Sequence, residues 1–208
     1  MLLDGFKNTL IITFGALLIG IVLGTTVAVI KFLAEEKAAL RPLAWLCNLY
    51  VTVVRGIPVV VLLLIFYFVI LRSADGIVTG IVAFGINSGA YVAEIIRGGI
   101  MSIDEGQFEA GRSLGFGYVP TMVHIILPQA FKAVLPTLVN EFIVLLKETA
   151  VAGYVGLMDL TRAGSIIRGI AYVDFMPLLG VAVIYLVMVM FFTWLMGKLE
   201  RRLRNSDH

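Results

Sequence analysis

The sequence predicts an all-α, polytopic membrane protein with about five transmembrane helices. Hydrophobic residues make up 60% of its 208 residues and charged residues only 14%, whereas a typical soluble domain is about 25% charged. The mean hydropathy is +1.01. Because each span needs roughly 20 apolar residues, the chain has room for five or six helices and little else. We therefore expect one transmembrane domain over residues 1–208.

Five apolar runs, separated by short polar segments, account for these helices. The second run is the longest, and Arg55 and Pro58 interrupt it. Since proline lacks the N–H of a helical hydrogen bond and disfavours helical geometry in the residue before it, we divide this run into an interfacial helix near residues 43–54 and a span that follows. The predicted spans are residues 9–32, 55–71, 76–96, 130–154 and 176–197.

The basic residues predict an outside N-terminus and a cytoplasmic C-terminus. In that orientation the cytoplasmic side holds ten of the sixteen Lys and Arg residues, and the outside holds four. This is the bias that orients membrane proteins. The ten are Lys31, Lys37, Arg41, Arg97, Arg112, Lys132, Lys198, Arg201, Arg202 and Arg204.

Several other classes of function are not expected. The net charge of +2 is small and dispersed, which argues against a nucleic-acid partner. Cys47 is the only cysteine, and the two histidines, His124 and His208, are far apart, so we expect no metal site. The phosphate-binding pattern G-x-x-x-x-G-K-[ST] is missing, so any ATP must bind another polypeptide. We expect no catalytic residues and no cofactor on this chain.

Residues 102–128, called the 102–128 segment below, are charged and glycine-punctuated, in contrast to the runs beside them. Ser102 and Glu105 have the spacing of a capping box, which predicts a short helix over residues 104–114 that ends at Gly115 in a left-handed cap. Gly117 then makes a second turn, and Pro120 is predicted to begin another short helix that ends before Pro128.

This helix-turn-helix has two interpretations from its residues alone. It is compact, lies on the predicted cytoplasmic side and suits a helix-in-groove contact with a soluble partner. An ordinary ordered loop remains an equal alternative.

Polar residues also occur inside the predicted spans, where charge is costly. Asn87, Tyr91 and Glu94 share one face of the third span, with Ser88 beside them. Glu141 and Glu148, seven residues apart, share a face of the fourth. We take Asn87, Ser88, Tyr91, Glu141 and Glu148 as candidate substrate-binding residues, and Glu94, Arg97, Arg55 and Lys147 as a possible gate or as structural ion pairs.

The order of residues from Glu109 to Pro128 resembles the EAA motif of type I ABC importer permeases, E-A-A-x3-G-x9-I-x-L-P. Gly111 is the one departure, at a position where the family often has alanine. Residues 54–68, 90–103 and 140–151 are similar to the polar amino acid branch of that family, so the resemblance covers nearly the whole chain. The matching positions are Glu109, Ala110, Gly111, Gly115, Ile125, Leu127 and Pro128.

The resemblance implies a function and a set of partners. It makes the 102–128 segment the coupling element that seats in a groove of an ATPase subunit, and it implies a pair of ATPase subunits that bind ATP and Mg²⁺. A second permease, identical or different, and an extracytoplasmic solute-binding protein complete the assembly in the inner (cytoplasmic) membrane.

The expected function is ATP-driven import of a polar amino acid by alternating access. Glu94, Glu141 and Glu148 favour a cationic amino acid slightly, although nearby basic residues could cancel them. A secondary transporter driven by an ion gradient and a non-transporting membrane scaffold are the alternatives.

Overall fold

The computed structural model describes residues 1–204, which contain no strand and are mostly helical. Seven of the helices in this range are longer than two turns. The other two, Val59–Ile65 and Tyr118–Thr121, are shorter and continue into π-helical turns. The helices are α1 (Leu2–Glu36), α2 (Arg41–Gly56), α3 (Val59–Ile65), α4 (Gly76–Met101), α5 (Glu105–Ser113), α6 (Tyr118–Thr121), α7 (Leu127–Glu148), α8 (Leu160–Ala171) and α9 (Phe175–Arg204).

Within residues 1–204, four stretches are long and apolar enough to cross a membrane, and a fifth is possible. The four are α1, α4, the continuous stretch Tyr118–Val155 that contains α6 and α7, and α9. The fifth is the pair formed by α2 and α3, which is bent by 108° at a break between Gly56 and Val59. This bend confirms the interruption predicted at Pro58, and the number of spans agrees with the predicted fold class.

The second span differs from its prediction. The helical part after the bend, Val59–Ile70, has a length of only about 18 Å at about 1.5 Å per residue, less than the roughly 30 Å hydrocarbon core. Because α2 is bent by 108° from α3, it adds little depth, and the pair is either a broken span or a re-entrant loop.

Small residues bring α1 and α4 into close contact, which is the largest helix interface of the chain. A Cβ atom added to Gly24 would lie 2.6 Å from the Val92 side chain, and one added to Gly85 would lie 2.7 Å from Ile19. In lipid the hydrophobic effect does not drive helices together, so close backbone approach at small residues supplies the packing energy.

The 102–128 segment follows its prediction in outline but not in two details. Asp104, rather than Ser102, caps α5 by accepting a hydrogen bond from the Gly106 amide at 2.7 Å, because Ser102 is used one turn earlier to donate to the Gly99 carbonyl. The second helix does not stop before Pro128 either. A π-helical turn, Met122–Ile126, widens the backbone there, and Pro128 lies in the first turn of α7, where its missing N–H is tolerated.

Helix α8 was not predicted from the sequence, because its twelve residues contain no long apolar run. Its N-cap is Asp159, whose buried carboxylate accepts hydrogen bonds from the Thr161 and Arg162 amides. Burial raises the pKa of Asp159, and these two amides oppose that shift. The Leu160 amide donates to the Thr9 hydroxyl, which fixes α8 at the N-terminal end of α1.

Candidate coupling segment and intramembrane polar sites

The 102–128 segment turns sharply between α5 and α6. We call α5, the turn at Gly115 and α6 together the elbow. Gly115 has φ +81°, a left-handed conformation that favours glycine, and the Phe116 amide closes the turn by donating to the Gly111 carbonyl at 3.0 Å. A Cβ atom on Gly111 would lie 2.6 Å from Thr121. In this chain the glycine at the motif's third position therefore allows α5 to lie directly on α6.

The elbow leaves apolar and acidic side chains exposed at its surface. Leu114 is 72% exposed and Phe116 is 42% exposed, and Glu109 and Ala110 are also exposed. An exposed apolar tip of this kind suits contact with another protein. The later motif residues lie elsewhere, since Leu127 and Pro128 line an apolar cavity of about 840 Å³ between α1, α4, α7 and α9.

Three aromatic rings connect the elbow to α1. Tyr118 lies between Phe32 at the end of α1, with ring centroids 5.3 Å apart and planes 10° from parallel, and Phe108 of α5, at 6.3 Å and 21°. Stacked rings contribute roughly 0.5–1.5 kcal/mol each beyond their buried area. The stack thus places α5, α6 and the C-terminal part of α1 in contact through aromatic side chains.

Four of the five candidate substrate residues meet at the contact between α4 and α7, called the α4–α7 seam below. The Ser88 hydroxyl donates to a Glu141 carboxylate oxygen at 3.0 Å, and the Asn87 amide donates to Glu148 at 3.3 Å. Ser88 and Asn87 are 0% and 2% exposed. The seam thus places two carboxylates against neutral partners in the middle of the bundle.

Tyr91, the fifth candidate, does not join the seam. Its ring lies under the Arg55 guanidinium, 5.2 Å from the ring centroid, and it shares a helix face with Glu94. Glu94 in turn pairs with Arg97 at 2.9 Å and with Lys31 at 3.0 Å. The predicted pair of Glu94 and Arg97 is formed, and Arg55 lies near it, 3.9 Å from Glu94.

Lys147, which the sequence grouped with Glu94, Arg97 and Arg55, does not belong to this ion-pair group. It is exposed and makes no ion pair within residues 1–204. The reason is the helical rotation of about 100° per residue. That rotation turns Glu148 towards α4 and carries the adjacent Lys147 away from it.

A polar cavity of about 430 Å³ lies beside Glu94, and sequence reasoning missed most of its walls. Asn48 and Thr52, four residues apart, share a face of α2 with Arg55, and this spacing was a signal that could have identified them. We call this space the Glu94 cavity. Its lining residues are Lys31, Asn48, Val51, Thr52, Arg55, Gly56, Tyr91 and Glu94.

The described residues contain no group of three His, Cys, Asp or Glu side chains that could hold a metal ion. His124 is on the π-helical turn before α7. His208 lies outside the described residues.

Comparison with protein families assigns the chain. Residues 16–205 match the model of the family described as "Binding-protein-dependent transport system inner membrane component". The chain belongs to this family. As an inner membrane component of such a system, it is a multi-pass membrane protein and a transport permease subunit, which confirms the resemblance to ABC importer permeases seen around Glu109–Pro128.

The similar proteins support the same assignment along the full chain. The probable glutamine ABC transporter permease protein GlnM of Bacillus subtilis (strain 168) is 39% identical over 99% of this chain and 94% of its own. The arginine transport system permease protein ArtQ of the same strain is 37% identical over 99% of this chain and 94% of its own.

Solved structures agree with the fold. A chain of the "Crystal structure of an amino acid ABC transporter with histidines" is 41% identical, with a TM-score of 0.89 over 97% of this chain and 93% of that chain. An inward-facing MetNI methionine ABC transporter chain, at 23% identity, has a TM-score of 0.82 over 98% of this chain and 96% of its own and shows the fold alone.

Proposed function

We propose that this permease is the membrane subunit of an ATP-driven importer for a polar amino acid. ATP and Mg²⁺ bind to separate ATPase subunits, a solute-binding protein delivers the amino acid from outside, and a second permease, identical or different, completes the pathway. The observation that carries this proposal is the elbow at Gly115, whose exposed Glu109, Leu114 and Phe116 form a surface ready for a protein partner.

Coupling in this proposal depends on the elbow moving as one body. Closure of the ATPase pair on ATP shifts α5, and the Tyr118 stack passes that shift to α1. ATP then needs only to bind one conformation better than the other in order to drive alternating access. We assign the ATPase-coupling role to Glu109, Ala110, Gly111, Gly115, Ile125, Leu127 and Pro128.

The ends of α1 support opposite locations for the elbow and α8. Phe32 contacts the elbow and Thr9 contacts α8. The 23 residue steps from Thr9 to Phe32 extend about 35 Å along a helix at about 1.5 Å per residue. This length exceeds the roughly 30 Å hydrocarbon core. The elbow therefore belongs on one side of the membrane, which the basic residues make the cytoplasmic side, and α8 on the other.

The substrate class is proposed from the seam and from the relatives. Proteins similar to this one are named for glutamine, arginine and glutamate/aspartate, all polar amino acids. Glu141 and Glu148 face Ser88 and Asn87 rather than a cation, so the seam offers two acidic side chains without a basic partner. We infer that the seam separates during transport and then favours a cationic side chain such as that of arginine, lysine or histidine.

The test compares elbow variants with a remote charge reversal. We expect Glu109→Lys and Gly115→Pro to leave the bundle inserted but to abolish co-purification of the ATPase subunits and ATP-driven uptake in proteoliposomes. Asp174→Lys, at the opposite end of the bundle, is the control and should retain both. Wild-type co-purification and uptake in the Glu109 and Gly115 variants would contradict the docking role.

The same proteoliposomes discriminate the alternatives. Uptake driven by an ion gradient without any ATPase subunit would indicate a secondary transporter. An ATPase rate that does not respond to any change in the elbow would indicate a scaffold without transport.

A further inference from the structure

The Glu94 cavity has the size of a ligand site and converging polar walls. Its volume of about 430 Å³ falls within the roughly 300–1,000 Å³ of small-molecule pockets. One wall is the polar face of α2, with Asn48, Thr52 and Arg55, and the other carries Tyr91 and Glu94 of α4. Asn48, Thr52 and Arg55 of the α2 wall are exposed.

The charges around this cavity do not balance. Glu94 is one carboxylate, and three cations surround it: Lys31 at 3.0 Å, Arg97 at 2.9 Å and Arg55 at 3.9 Å. Each Glu94 oxygen already accepts a hydrogen bond, one from Lys31 and the other from Arg97. Arg55 is thus the cation left over.

Arg55 has unused hydrogen-bonding capacity. Its contact with Glu94 is an ion pair too long for a hydrogen bond, and within residues 1–204 its guanidinium forms no other polar contact than this pair and the Tyr91 ring. The ring of Tyr91 holds the group from one face. A guanidinium group held in this way presents two parallel N–H donors, which suit bidentate binding of a carboxylate.

The cavity lies at the cytoplasmic end of α4. Glu94 is seven residues before the end of this helix at Met101, about 10 Å along it at about 1.5 Å per residue, and its partners Lys31 and Arg97 belong to the predicted cytoplasmic charges. A bound anion would neutralise the excess positive charge there.

We propose that the Glu94 cavity binds the carboxylate of the transported amino acid through Arg55, with Asn48 and Thr52 as further hydrogen-bonding partners. Glu94 and Lys31 act as positioning residues that hold α1 and α4 around the site. The inference rests on the proposed function and divides recognition between two places. The cavity binds the group that all α-amino acids share, and the seam selects the side chain.

The experiment uses the complete transporter in nanodiscs of zwitterionic lipid, so that anionic lipid cannot occupy the cavity. L-arginine and agmatine, which is arginine without its carboxylate, are the two probes, and binding is measured by equilibrium dialysis. We expect the wild type to prefer L-arginine by about 10-fold to 100-fold, the range of a charge-assisted hydrogen-bonded contact. Arg55→Gln should abolish that preference by weakening arginine binding only, and Arg55→Lys should restore part of it.

Arg168→Gln, an exposed arginine of α8, is the matched control and should keep the full preference. Retention of the preference in Arg55→Gln, with ATPase co-purification intact, would overturn the cavity assignment and leave the proposed function standing. A wild-type complex that prefers neither probe would also overturn it. Failure of ATP-driven uptake of every polar amino acid by the wild type would instead contradict the proposed function.

Discussion

The 102–128 segment and the polar groups inside the bundle use similar residue types in opposite ways. In the segment, Glu109 and Leu114 are exposed, and local features such as the left-handed Gly115 set the geometry. Inside the bundle, Ser88 and Glu141 are buried and satisfy each other across two helices. The difference is that the segment presents its side chains at the surface, while the buried pair holds α4 and α7 together.

The largest effect should come from the same chemical change made in both regions. We expect Glu94→Gln to reduce the free energy of unfolding by about 3 kcal/mol, because it leaves Lys31 and Arg97 without their carboxylate in the bundle. Glu109→Gln, on the exposed elbow, should change it by less than about 0.5 kcal/mol. Denaturation of the purified permease in detergent measures both, and equal effects would contradict the contrast.

A smaller effect is expected at the stack that connects the two regions. Tyr118→Leu removes the ring between Phe32 and Phe108 and should cost about 1 kcal/mol of stability. It should also raise the number of ATP molecules hydrolysed per amino acid imported while the ATPase subunits remain bound. Tyr118→Phe keeps the ring and is the control. A normal ratio in the leucine variant would show that coupling does not pass through the stack.

The smallest effect concerns Asp159 at the opposite end of the bundle. Because burial raises the pKa of Asp159, the folded state favours the protonated form. This contribution to stability is present at low pH and is lost as pH rises through the folded-state pKa. The stability of the wild type relative to Asp159→Asn should therefore increase as pH falls towards 3.8, the ordinary pKa of an aspartate. Thermal midpoints of both proteins test this, and a difference independent of pH would show that the pKa is not raised.

The sequence predicted those parts of the molecule that local rules determine. The bend at Pro58 follows from a missing N–H, and the turn at Gly115 follows from the freedom of glycine. The cap of α5 was assigned to Ser102 rather than Asp104 because both residues suit the role, and only the preceding turn of α4 decides between them.

The intramembrane sites were only half predictable. Periodicity placed Glu141 and Glu148 on one face of α7, but their partners Ser88 and Asn87 are set by helix packing. From the sequence, Lys31 counts only among the basic residues that set the membrane orientation. Its pairing with Glu94 was not predictable, because the two residues are 63 positions apart in sequence and on different helices. Contacts of this range have no signal in a single sequence.

The most direct test of the central claim is the accessibility of the elbow. In a Cys47→Ser background, which removes the only native cysteine, Leu114→Cys carries a thiol at a position that is 72% exposed and Tyr172→Cys carries one at a position that is 95% exposed, at the end of α8. A membrane-impermeant maleimide should label Leu114→Cys only in inside-out vesicles, and bound ATPase subunits should block it, whereas Tyr172→Cys should react only from outside. Labelling of Leu114→Cys from outside, or no protection by the ATPase, would contradict the account.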